Sequence, residues 1–80
     1  MPTVLRIGPY RFEFYASDKD EPPHVHVIHG SRKAKFWLGA PVRLQKNQRF
    51  PRHELNKVRQ LVVANRAILL ERWHEYFRDQ

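Results

Sequence analysis

The chain has no cysteine, three glycines and one methionine in 80 residues. Disulfides and thiolate metal ligation are therefore excluded, so any metal would have to be held by imidazole and carboxylate. No apolar run approaches the ~20 residues that a membrane-spanning helix needs, and no membrane partner is expected. The segment Met1-Pro2-Thr3-Val4-Leu5-Arg6 has no basic region ahead of its apolar residues and no cleavage-site pattern. A signal peptide is not expected, and the cytoplasm is the expected compartment. Repeats, low-complexity tracts and linkers are also missing. The length suits one domain over residues 1–80, with a sheet in 1–44 and helix in 51–78. A domain this small buries only roughly 60–65% of its unfolded surface, so its core is thin.

Acidic residues are scarce: eight against fifteen Lys and Arg, a formal net charge of +7. The excess is concentrated. Arg32, Lys33, Lys35, Arg43, Lys46, Arg49, Arg52, Lys57, Arg59 and Arg66 share the stretch from 32 to 66 with a single acid, Glu54. Such a block is the electrostatic footprint of a polyanionic partner, nucleic acid or an acidic protein, and it is also compatible with a merely solvated surface.

Two segments carry the clearest pattern. His24-Val25-His26-Val27 and Lys33-Ala34-Lys35-Phe36-Trp37 both alternate with period two around Gly30-Ser31. They read as strands joined by a two-residue Gly-X turn. That turn places His26 opposite Lys35 and His24 opposite Trp37, with Val25–Phe36 and Val27–Ala34 on the other face. One face is then oily, and the other gathers two imidazoles, two lysines and an indole.

Thr3 to Ile7 and Tyr10 to Tyr15 form an earlier hairpin around Gly8-Pro9, pairing Leu5 with Phe12 and Thr3 with Phe14. Arg6 meets Arg11 in this register, which is unfavourable unless a carboxylate or an anion lies near. Pro9 at the second turn position points to a loop longer than two residues. Ala16 to Pro23 is a polar loop holding Asp18, Asp20 and Glu21. Val42-Arg43-Leu44 is a short fifth strand, and Gln45 to Phe50 is a basic loop. Pro51 suits a first helical position. From there Leu55, Val58, Val62, Leu69, Trp73, Tyr76 and Phe77 make one apolar stripe, read as a single long helix bent at Asn65.

The expected architecture is α+β: a four- to five-stranded antiparallel sheet of two hairpins, with the C-terminal helix on one face. Leu5, Ile7, Tyr10, Phe12, Phe14, Val25, Val27, Ala34, Phe36 and Leu38 would meet the helix. Arg6, Arg11, Glu13, Tyr15, His24, His26, Ile28, Lys33, Lys35 and Trp37 would face outward, because an antiparallel sheet can leave one side to water or a ligand.

That outward face suggests chemistry. Imidazole has an unperturbed pKa near 6.5. His24 or His26 could take a proton from a ribose hydroxyl while a lysine or arginine stabilises phosphorane charge, so both are candidate catalytic residues of a metal-independent ribonuclease. Arg32, Lys33, Lys35, Arg43, Lys46 and Arg49 are the candidate phosphate-binding residues, and Trp37 is a candidate stacking platform. Two alternatives stand beside this. In a non-enzymatic binding module the cations matter and the histidines do not. In a metalloprotein, His24 and His26 would ligate with Asp18, Asp20 or Glu21. The nearby lysines oppose a dication, so no metal is favoured and no cofactor is expected. Two similar patterns fail. The histidine-triad nucleotide hydrolases alternate three histidines, whereas His29 falls one position late, and the cupin metal pattern lacks its glutamate. His53 and His74 carry no assigned role.

Met-Pro-Thr-Val-Leu-Arg-Ile-Gly at the start, Asp-Glu-Pro-Pro-His-Val-His-Val, Ala-Lys-Phe-Trp-Leu and Trp73-His74-Glu75-Tyr76-Phe77 together resemble the short bacterial proteins grouped as domain of unknown function 4160. Pro22 to Val27 is the most specific piece, and the resemblance covers nearly the whole chain. It carries no established activity. It implies one half of a two-gene cassette of toxin–antitoxin type, whose partner would be a small protein encoded by the neighbouring gene. An exposed sheet edge and a thin core also make a homodimer compatible with the sequence.

Overall fold

The structure is a computed structural model, and it describes residues 3–78. Five strands, β1 (Thr3–Ile7), β2 (Tyr10–Glu13), β3 (His24–His29), β4 (Arg32–Trp37) and β5 (Arg43–Gln48), form one antiparallel meander in the order β1-β2-β3-β4-β5. Two helices follow, α1 (Arg52–Ala64) and α2 (Arg66–Phe77). The β3–β4 register is the one the Gly30-Ser31 turn demands: His24 opposite Trp37, Val25 opposite Phe36, His26 opposite Lys35 and Val27 opposite Ala34. Gly30 takes the left-handed φ of 62° that such a turn needs at its first position.

The first hairpin departs from expectation in two places. Gly8 and Pro9 close a true two-residue loop, since Ile7 pairs with Tyr10. Gly8 absorbs the strain at φ 56° and leaves Pro9 its own restricted φ. A bulge between Thr3 and Leu5 then sets Thr3 opposite Glu13 rather than Phe14. Arg6 does face Arg11, and the carboxylate that makes this tolerable is Glu13, whose Oε2 accepts from Arg11 Nε at 3.1 Å. The loop after β2 also has structure, a short 3-10 segment over Ala16–Asp20.

The fifth strand is longer than its sequence suggests. Gln45 to Gln48, expected as loop, continue β5, and a bulge at Lys35/Phe36 adjusts the ladder. The strand ends in an Asn47 turn, in which the Asn47 side chain donates to the Phe50 carbonyl and accepts from its amide. Arg49 sits in this turn at φ 76°.

All ten residues expected beneath the helices lie in or against the core. Leu5 and Ile7 pack at its margin, and Val42 and Phe50 join it. Phe12, Phe14, Val25, Val27 and Phe36 are fully buried against Val58, Val62 and Leu69 of the helices. Each contributes about 1.5–3 kcal/mol of apolar burial. The helical segment is broken in two. Asn65 leaves helical geometry (φ −111°, ψ 14°), and its side-chain amide donates to the Leu61 carbonyl at 2.8 Å. An asparagine that bonds its own preceding turn competes with helix continuation. Pro51 precedes α1 as its cap residue, with its carbonyl accepting from Leu55. Arg66 Nε donates to the Gly39 carbonyl and Arg72 Nη1 to the Val4 carbonyl, both at 2.8 Å, which ties α2 to the β4–β5 connection and to β1.

Candidate functional site

Strand parity puts the second sheet face in rows. Thr3, Glu13, His26, Lys35 and Lys46 follow one another across the five strands, and His24, Trp37 and Arg43 form the next row. The two rows differ in what covers them.

The histidine end of this face is closed. His24 is 0% exposed and His26 9%. The 3-10 segment turns Asp18 inward, so that its Oδ2 lies 3.1 Å from His24 Nε2 and 3.2 Å from His26 Nε2. The Tyr15 amide donates to the same oxygen at 3.0 Å. The Trp73 ring of α2 packs 5.1 Å from the His24 ring, and Trp37 meets it edge-on at 5.4 Å. Tyr15 covers His26 at 4.3 Å between ring centres. The expectation of an open histidine face is therefore corrected: His24, His26, Glu13 and Ile28 are all buried. Burial holds the His26 pKa below the ordinary imidazole value, although the Asp18 charge pulls the other way.

The cationic end is open. A shallow pocket of 220 Å³ is lined by His26, Lys33, Ala34, Lys35, Lys46 and Gln48. Beside it lies a hollow of 290 Å³ formed by Pro22, Pro23, Trp37, Leu38, Gly39, Ala40, Pro41 and Arg43. Lys35 bonds Glu21 at 2.7 Å and stands 4.9 Å over Trp37, and Lys33 stands 5.0 Å over the Tyr15 ring. The Lys35 hydrogen bond holds the Glu21 carboxyl below the usual carboxylate range. Lys46 and Arg43 are exposed.

Of the candidate phosphate ligands, Lys33, Lys35, Trp37, Arg43 and Lys46 share this face. Arg32 does not. It pairs with His29 on the helix side of β4 and is bound to Glu54 at 2.8 Å. Arg49 lies beyond the strand in the Asn47 turn. Of the candidate metal ligands, Asp18, His24 and His26 converge, while Asp20 and Glu21 are exposed and outside the group.

One cluster has no counterpart in the sequence reading. Glu54, the lone acid of the basic block, accepts from Tyr10 Oη (2.9 Å), His29 Nδ1 (3.1 Å) and Arg32 Nη1 (2.8 Å), which locks the start of α1 to the sheet. Burial alone would raise its pKa. The Tyr10 and His29 hydrogen bonds, helped by the Arg32 charge, outweigh burial and lower it. Burial and the neighbouring Glu54 raise that of Tyr10. Its isolation among cations was the available signal.

A family model described as Domain of unknown function (DUF4160) matches residues 10–74. The chain belongs to this family. The DUF4160 match runs from the first residue of β2 into α2, so it contains the histidine–aspartate cluster, the basic pocket and Trp73. No curated protein and no solved structure matches the chain.

Proposed function

We propose that this DUF4160 protein binds single-stranded RNA across the β3–β4–β5 face and acts as one component of a toxin–antitoxin-type pair. The observation that carries the binding reading is the alignment on adjacent strands of Lys33, Lys35 and Lys46, which line the 220 Å³ pocket, with Trp37 and Arg43, which line the 290 Å³ hollow. A cationic track beside an aromatic platform is what single strands need, since phosphates supply the charge and each stacked base about 1–3 kcal/mol. The pairing role rests on the family resemblance. In it, the neighbouring gene's product would be an acidic protein that occupies the same track and excludes RNA.

Binding, not cleavage, is the part that the geometry favours. His24 is enclosed and offers no atom to a substrate, which leaves His26 as the imidazole at the pocket floor.

The test is fluorescence anisotropy with a labelled single-stranded oligoribonucleotide over a range of salt. Four phosphate contacts predict a log–log slope of about −2.8 at ~0.7 per contact. Reversing Lys46→Glu and Arg43→Glu together should remove about half of that slope and most of the affinity, with the far-UV spectrum unchanged. A flat salt response refutes a phosphate interface. Cleaved oligonucleotide in the assay would restore the ribonuclease reading. Growth arrest on expression, relieved by the neighbouring gene, would support the pairing role.

A further inference from the structure

We propose that Asp18, His24 and His26 form a binding site for a divalent transition metal ion, with zinc(II) the ion that fits best. The first ground is distance. The three donor atoms, Asp18 Oδ2 and the two histidine Nε2 atoms, lie within 4.8 Å of one another, and the oxygen sits 3.1 and 3.2 Å from the two nitrogens. Zinc–ligand bonds of about 2.0–2.2 Å in tetrahedral geometry separate neighbouring donors by roughly 3.3–3.6 Å. Ligation needs the carboxylate oxygen to draw back slightly, the two imidazole nitrogens, within 4.8 Å of each other, to close to that range, and the hydrogen that His26 Nε2 donates to Asp18 to move to Nδ1.

The second ground is an unpartnered atom. His24 Nε2 is completely buried and has no hydrogen-bond partner among the described residues, although it lies within the group. Its other nitrogen, Nδ1, lies 2.9 Å from the Pro22 carbonyl oxygen. A carbonyl only accepts, so Nδ1 carries the hydrogen, and in the neutral ring Nε2 presents a lone pair. That lone pair faces the Asp18 carboxylate oxygen at 3.1 Å in a geometry unsuited to a hydrogen bond. Two acceptors in buried contact are unfavourable, and a cation between them turns repulsion into ligation. A ligating histidine whose second nitrogen donates to a backbone carbonyl is the usual outer-sphere arrangement of protein metal sites.

The third ground is support around the ligands. The Tyr15 amide bonds Asp18 Oδ2, and the backbone of the 3-10 segment fixes the aspartate through Asp18 N to Tyr15 O and Glu21 N to Asp18 O. Of the lysines that would oppose a dication, Lys35 has its charge met by Glu21, and Lys33 stands over the Tyr15 ring. The donor set of two imidazoles and one carboxylate suits zinc, and three protein ligands leave a position for water. His26 is common to this site and the basic pocket, but the two readings are tested apart. Either can fail without the other, because one is read by metal content and the other by nucleic-acid affinity.

The experiment uses the full chain without an affinity tag. After dialysis against zinc, elemental analysis should find one equivalent per chain. Zinc added to the chelator-stripped protein should raise its unfolding midpoint by several degrees, and cobalt(II) in its place should give visible ligand-field absorption. Asp18→Ala and His26→Gln should each abolish the stoichiometric metal and the midpoint shift. If the wild-type protein retains no zinc and its midpoint does not move, the proposal is overturned, whatever the variants do. Zinc that remains stoichiometric in both variants is held elsewhere, at exposed groups such as His53 or His74, and overturns it equally.

Discussion

Replacing Trp73 with alanine should destabilise the whole domain and unseat His24 in particular. The indole packs against Phe14 (5.1 Å), Phe77 (4.3 Å) and His24 (5.1 Å), and it is 5% exposed. Truncating a buried tryptophan to alanine costs about 3–5 kcal/mol, because transfer energy and cavity formation add. An 80-residue domain has roughly 4–12 kcal/mol in all, at ~0.05–0.15 kcal/mol per residue. Each kcal/mol moves the midpoint of a domain this size by about 4–8 °C, so a drop of at least ~12 °C is expected. Trp37 remains in the variant as the only fluorophore of its kind, and it contacts His24 directly. Its emission therefore reports both global unfolding and the loosened imidazole. Trp73→Phe, which keeps a ring against Phe14, should lose less than half as much. A Trp73→Ala variant that loses under ~1 kcal/mol and leaves the His24 imidazole resonances in place would refute the packing of α2 over the histidine cluster.

Two further outcomes follow from other parts of the molecule. The folded-state pKa of Glu54 lies below its ordinary value of 4.5, so its contribution is present in full above that value and is lost as pH falls through the lower, folded one. Urea midpoints measured from neutral pH down into the acid range should fall less steeply for Glu54→Gln, which has no proton to take up, than for the parent. Gly30→Ala meets no atom within 4 Å, but it forces alanine to φ 62°. A loss of about 1 kcal/mol is expected from the backbone alone, with Gly30→Asn retaining more, as read by thermal unfolding.

The central hairpin was legible because its information is local. A Gly-X turn fixes which residues face each other, and period-two alternation fixes which face each joins. For the same reason Lys33, Lys35 and Trp37 were expected on one face, and it is the β4–β5 ladder that brings Arg43 and Lys46 beside them. Polar β5 gave no alternation to read, since an exposed edge strand need not bury a face, and Gln45 to Gln48 passed for loop. Burial of His24 was invisible for a different reason. It is made by Trp73 from a distant helix and by Asp18 on a short 3-10 segment, and neither contact is encoded in the strand's own pattern. Asp18, Asp20 and Glu21 look equivalent in sequence, and only the fold of that segment turns one of them inward. Arg32 shows the opposite failure. Its charge marked it as a phosphate ligand, while its place in step with Ala34 and Phe36 sent it to the helix side and to Glu54.

The Arg72 bond to Val4 joins the last helix to the first strand, and β1 lies at the sheet edge opposite β5. With neighbouring strands about 4.8 Å apart, four spacings put β1 roughly 19 Å from the Lys46 strand. Thr3 to Ile7 and the Arg72 turn of α2 thus lie on the flank away from Lys46. A fluorophore carried by Arg6→Cys, an exposed position of β1, would stand three strand spacings from Lys33 and Lys35, so occupation of the basic track can be read without labelling any residue that lines it.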